Sequence, residues 1–281
     1  MSLYNTIVMA GGGMKGFGLL GAMQYMIDNK LLDTIKYYSG TSIGAIICFF
    51  LAIGYTPIEM IVYIITNNVF DKKDHKGFES ILNGEGLYDF SIYTSHFKKM
   101  SMDKIGYIPT LKELHEKLNV VLFICTYNIT KKKKEYLSVY THPDMSCIDA
   151  ITLSSSLPFI FNDCIYNGEY YIDGGFVDNC PFFPIIDIEE ASNVVIFNLE
   201  SNTDDTEYEK IIDKIFMLLT IPINELQSLQ LENITKKCKC IPVKIDSVNF
   251  YDFHINHSKK LEIFSIGYNS TKKFLTNQLI I

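Results

Sequence analysis

The sequence has no arginine and no tryptophan among its 281 residues, and each of its 25 basic residues is lysine. Without a guanidinium fork, an arginine clamp on phosphate or carboxylate is excluded. Positive charge is also outnumbered: 32 acidic residues leave a net charge of −7. That argues against a general nucleic-acid binder, which needs a basic surface to neutralise phosphates. Met1 to Ala10 lacks a basic stretch followed by an apolar one. No secretory signal is read there, and a cytoplasmic or peripheral membrane location is expected. No apolar run reaches the ~20 residues of a membrane span. The nearest candidate, Ile46 to Ile65, is interrupted by Gly54, Pro57 and Glu59 and reads as two buried helices. The seven cysteines are scattered, and Cys238 and Cys240 have no second pair or histidine at ligand spacing, so no metal or other cofactor is expected.

What is present suits a packed core: 48% hydrophobic and 20% charged residues. The length fits one α/β domain over 1–281. Thr6 to Ala10, Ile35 to Ser39, Val120 to Thr126, Tyr136 to Thr141, Tyr170 to Ile172, Val194 to Leu199 and Cys240 to Ile245 read as strands. Between them, Phe17 to Asp28, Ile43 to Ile53, a helix opened by Pro57, Leu111 to Leu118, Ser146 to Leu153, Glu207 to Leu219, Ile223 to Thr235 and Lys259 to Asn277 read as helices. Such alternation predicts a three-layer α/β/α sandwich around a mostly parallel sheet. Asn67 to Asp103 reads as an insertion of short helices and loops over one end of the sheet. Overlapping its end, Tyr88 to Ile108 is either a lid or membrane-touching edge, or an ordinary partly buried surface helix. Lys131 to Lys134 reads as a solvated hairpin turn, with an anionic membrane surface as the alternative.

Three motifs stand at predicted strand ends. Gly11-Gly12-Gly13-Met14-Lys15-Gly16 also satisfies the dinucleotide pattern, but no acidic residue closes the second strand to hold a ribose. What remains is a glycine run at a helix start, with backbone N–H groups free to face negative charge. Gly40-Thr41-Ser42-Ile43-Gly44 lies between a strand and an apolar helix, the setting of a nucleophile elbow that exposes the Ser42 hydroxyl. Asp173-Gly174-Gly175 closes a third strand and is followed by Asp178-Asn179-Cys180-Pro181. Alone, each motif has a bland reading: Ser42 as a helix cap, Asp-Gly-Gly as a turn.

In this order the three motifs resemble the patatin-like phospholipase family, and Ser154-Ser155-Ser156-Leu157-Pro158 resembles that family's small-residue segment before a proline. The resemblance covers about residues 5–199; residues 200–281 carry no recognised motif. It implies a lipid acyl hydrolase, a carboxylic ester hydrolase of phospholipase A or lysophospholipase type. Ser42 would be the nucleophile, Asp173 its base, and an acyl-Ser42 ester the intermediate. The oxyanion hole would come from the N–H groups of Gly11, Gly12, Gly13 and Ile43, with Lys15, Gly16, Gly40, Gly44, Gly174 and Gly175 supporting the motifs. No metal is implied. The substrate would be lipid at a membrane or micelle surface, met by peripheral contact. Alternatives on the same fold are a triacylglycerol lipase or a non-catalytic lipid-binding regulator. Asp173 is expected to be enclosed by apolar groups that raise its basicity.

Overall fold

The computed structural model describes residues 4–70, 76–83, 85–186, 188, 193–200, 211–234 and 238–277. Eight strands join one mixed sheet: β1 (Tyr4–Met9), β2 (Leu32–Thr41), β3 (Val121–Asn128), β4 (Lys133–Leu137), β5 (Cys164–Tyr166), β6 (Glu169–Asp173), β7 (Val194–Glu200) and β8 (Lys239–Lys244). The hydrogen-bonded path runs β5-β6-β3-β2-β1-β7-β8, with β4 also paired to β3. The centre is parallel, β3-β2-β1-β7-β8, and the pairings of β3 with β4 and β6 and of β5 with β6 are antiparallel.

Strand side chains alternate between two cores, as the two-residue period demands. Ile7, Met9, Leu122, Ile124, Val195 and Phe197 point into the larger one. There they meet α1 (Gly16–Asp28), α2 (Ile43–Ala52), α3 (Pro57–Thr66), α5 (Ser91–Ile105), α6 (Leu111–Leu118), α7 (Cys147–Ser154) and α10 (His257–Asn277). Val8, Val121, Phe123 and Ile196 point into the smaller core, covered by α8 (Phe183–Ile186) and α9 (Ile211–Ile234). The short α4 (Gly77–Leu82) lies in the insertion. The expected α/β sandwich with a mostly parallel sheet is what the chain forms.

Several local expectations need correction. The segment 207–235 is not two helices divided at Pro222 but, over Ile211–Ile234, one helix with Pro222 inside it; residues 207–210 and 235 lie outside the described residues. The strand expected at Tyr136 to Thr141 runs over Lys133–Leu137 and ends earlier, because the Ser138 N–H donates to Thr141 Oγ1 and that hydroxyl donates to the Ser138 carbonyl in a turn. Strand β5 was not anticipated, although Asn167-Gly168, both at positive φ (51° and 81°), is a strong short-range hairpin signal. The apolar stretch 46–65 is two helices bent by 115°, and no single helix among the described residues is long and apolar enough to cross a membrane.

Candidate active site

Ser42 stands between the end of β2 and the start of α2 with φ 54° and ψ −125°. A non-glycine residue in that region is strained and persists only where its surroundings over-determine it. Here they do. The Ser42 N–H donates to Ser154 Oγ at 2.9 Å, and that hydroxyl donates to the Cys125 carbonyl at 2.6 Å. The Thr41 hydroxyl donates to the Asp178 carbonyl at 2.8 Å. Gly40 and Gly44 let helix, strand and loop close on one another: a Cβ on Gly44 would collide with the Met9 carbonyl and come within 2.6 Å of the Ala10 carbonyl oxygen.

Asp173 reaches this point by an unexpected route. β2 pairs with β3 as far as Thr41 opposite Cys125, and β6 pairs with β3 from Asp173 opposite Thr126. β4 occupies the other edge of β3 over Ile124 to Asn128. A strand has only two edges, so β2 and β6 share one and meet end to end on it. Asp173 therefore arrives on an antiparallel strand, not at the carboxyl end of a parallel one. It is 2% exposed. Its Oδ1 accepts from the Gly175 N–H at 2.7 Å, and its buried Oδ2 has no hydrogen-bond partner among the described residues. Burial raises its pKa to about 7, opposed by the nearby Ser42 hydroxyl and the Gly175 N–H. The expected enclosure is found.

The glycine loop follows β1 on the other side of β2. Gly11 N–H is occupied by the Asn179 carbonyl at 3.0 Å. Met14 N–H donates to the Phe250 carbonyl at 2.9 Å and Lys15 N–H to the Gly12 carbonyl at 3.1 Å. Among the described residues no partner is found for the N–H groups of Gly12 and Gly13. Gly13 has φ 52°, and a Cβ there would overlap the Phe250 carbonyl. Gly16 packs against Ile43, and Gly174 against the Cys125 backbone. Burial lowers the Lys15 pKa while Asp246 and Asp252 raise it.

Asp178, 1% exposed, ties the Ser42 and Asp173 segments together. Its N–H bonds the Gly174 carbonyl at 2.9 Å, and its own carbonyl takes the Thr41 hydroxyl. Its carboxylate is held by the Tyr136 hydroxyl and by Lys134 at 3.3 Å. Lys134 thus belongs to a structural cluster and is not part of a freely solvated turn. Asn179 donates to the Gly11 carbonyl and to Gln227 of α9, at 3.3 and 3.1 Å.

Ser42 opens onto a cavity enclosing about 830 Å³ of empty space, its mouth included. One wall is the α2 face Ile43, Ile46, Ile47 and Phe50, which starts next to Ser42. Phe90, Tyr93, Phe97 and Met100 also line it, so the insertion expected over one end of the sheet contributes to the cavity with its buried apolar face. Phe161 and Phe253 complete it, with ring centroids 5.5 Å apart. No motif marked these residues; the spacing of Phe90, Tyr93, Phe97 and Met100 was their one sequence signal. No histidine among the described residues lines the cavity. His96 meets Tyr63 at 3.4 Å, His142 meets Glu135 at 3.8 Å and His254 meets Tyr88 at 2.9 Å.

The comparisons agree with this geometry. Residues 7–186 match the model of the patatin-like phospholipase family. A probable lipid hydrolase of Invertebrate iridescent virus 6 is 35% identical over 63% of this chain, an alignment spanning 62% of that protein. An uncharacterized protein of Acanthamoeba polyphaga mimivirus is 25% identical over 97% of this chain and 94% of its own length. Among solved structures, VipD from Legionella pneumophila superposes with a TM-score of 0.63 at 18% identity, covering 98% of this chain and 67% of VipD, which speaks for the fold. Because that family model spans residues 7–186, well over half of the sequence, the chain belongs to the patatin-like phospholipase family.

Proposed function

We propose that the protein hydrolyses acyl esters of lipids, phospholipids first, by a Ser42–Asp173 dyad. The observation that carries this reading is Ser42, at the head of an apolar cavity, beside the buried Asp173 carboxylate, whose Oδ2 has no hydrogen-bond partner among the described residues. A carboxylate with a pKa of about 7 is well matched to general-base work at neutral pH. Asp173 takes the Ser42 proton as the hydroxyl attacks the ester carbonyl. The resulting oxyanion is received by the N–H groups of Gly12, Gly13 and Ile43, each such donor being worth about 3 kcal/mol. Asp173 returns the proton to the departing alcohol, and the acyl group stays on Ser42 with its chain in the cavity. Water activated by Asp173 then releases the fatty acid. The cavity supports a long acyl chain, because nearly all of its lining side chains are apolar.

The test is labelling with a fluorophosphonate probe alongside release of fatty acid from phosphatidylcholine vesicles. Adduct on Ser42, lost in Ser42→Ala, with fatty-acid release is the expected result. A folded protein that neither labels nor releases fatty acid would leave the fold in a non-catalytic role.

A further inference from the structure

Ser155 is the second serine on the wall of the cavity that opens at Ser42. It is 4% exposed, and its Oγ has no hydrogen-bond partner among the described residues. A buried hydroxyl left unpaired carries a desolvation penalty, which a ligand group would relieve. Both chain neighbours already serve the reacting pair: Ser154 Oγ accepts from the Ser42 N–H at 2.9 Å, and the Ser156 carbonyl accepts from the Asp173 N–H at 3.0 Å. Because β2 lies between β1 and β3, the glycine loop approaches Ser42 from the β1 side, and the 154–156 segment, anchored on Cys125, from the β3 side. Two buried oxygen atoms without a hydrogen-bond partner among the described residues, Ser155 Oγ and Asp173 Oδ2, therefore belong to segments that approach Ser42 from the side away from the glycine loop.

We propose that the Ser155 hydroxyl is a further catalytic group that holds the leaving alcohol and then the hydrolytic water for Asp173. The inference rests on the acyl-hydrolase reading. The departing alcohol and the incoming water occupy the same place by microscopic reversibility, and a hydroxyl can donate to one and accept from the other. In deacylation the water oxygen bonds to the acyl carbon. One water proton passes to Asp173 Oδ2, while the other is held in a hydrogen bond by Ser155 Oγ. Collapse breaks the bond between the acyl carbon and Ser42 Oγ, and the proton on Asp173 moves to that oxygen. Free acid leaves and both residues return to their starting states. Ser155 itself transfers no proton.

The experiment is pre-steady-state turnover of a p-nitrophenyl ester by wild type, Ser155→Ala and Ser155→Thr, with methanol as a competing acceptor. Ser155→Ala should decay from the acyl-enzyme about tenfold more slowly while the p-nitrophenol burst survives. Its ratio of methyl ester to free acid should shift at least threefold, and Ser155→Thr should come within about threefold of wild type in both. Wild-type deacylation and an unchanged product ratio in Ser155→Ala would overturn the inference. So would equal slowing of burst and decay with a lowered melting temperature, which marks a structural role. If the wild type itself forms no acyl-Ser42, the hydrolase reading fails and this inference falls with it. A wild type that acylates beside an unaffected Ser155→Ala leaves that reading standing.

Discussion

Thr41 and Asp173 end their strands facing each other along one edge of β3, Thr41 opposite Cys125 and Asp173 opposite Thr126. One residue beyond Thr41 is Ser42, so the register of two strands with opposite directions sets how Ser42 and the Asp173 carboxylate are placed relative to one another.

Asp173→Asn should lose several orders of magnitude in kcat, comparable with Ser42→Ala, because the two groups act as a unit. Single Gln variants of the six histidines should each keep most of the activity. The burial of Asp173 puts its pKa at about 7, inside the usual imidazole range. A pH profile therefore does not separate a dyad from a triad; the variants do. A folded histidine variant as inactive as Ser42→Ala would replace the dyad by a triad.

The same pKa gives a pH dependence with two faces. Activity should fall as pH drops through about 7, where Asp173 takes up a proton. Stability should move the other way. An ordinary carboxylate titrates near 3.8, so between there and about 7 the folded protein holds a proton that the unfolded chain lacks. The stability contributed by this group is complete below the lower value and lost as pH rises through the higher one. Asp173→Asn should accordingly melt a few degrees higher than wild type at pH 8 and much closer to it at pH 4, an outcome that calorimetry reads directly.

Gly13→Ala should cost about a hundredfold or more in kcat, because the new Cβ meets both a positive φ and the Phe250 backbone. Gly12→Ala should be milder: the atom in its way is the tip of the Leu199 side chain, which can turn aside. Equal effects of the two substitutions on kcat would remove the special role assigned to the Gly13 backbone.

Phe253→Ala should narrow the preference for long over short acyl chains, lowering kcat/KM for a palmitoyl ester about tenfold relative to a butyryl ester. The ring is 4% exposed, lines the cavity and packs on Tyr88 and Phe161 with centroids 5.3 and 5.5 Å away. An unchanged ratio across a p-nitrophenyl ester series would exclude Phe253 from the acyl site.

By itself the sequence determined the local chemistry. Alternating strands and helices gave the layered α/β architecture, and the glycines around Ser42 and after Asp173 marked chain turns that only small residues permit. These signals are short-range: periodicity, turn chemistry and motif spacing act within a few residues. Tertiary structure alone decided that Asp173 comes on an antiparallel strand. It also decided that Gly11 N–H is spent on Asn179, and that α5 and Phe253, far apart in the chain, line one cavity with α2. Phe253 lies outside the family-matched residues 7–186, and nothing in its neighbourhood of sequence signals a site. Its place depends on strand β8 returning the chain beside β7, so that the following segment crosses the glycine loop and sets the Phe250 carbonyl against Gly13. Long-range pairing of this kind is written in no local pattern; it follows from which surfaces the whole chain can bury together.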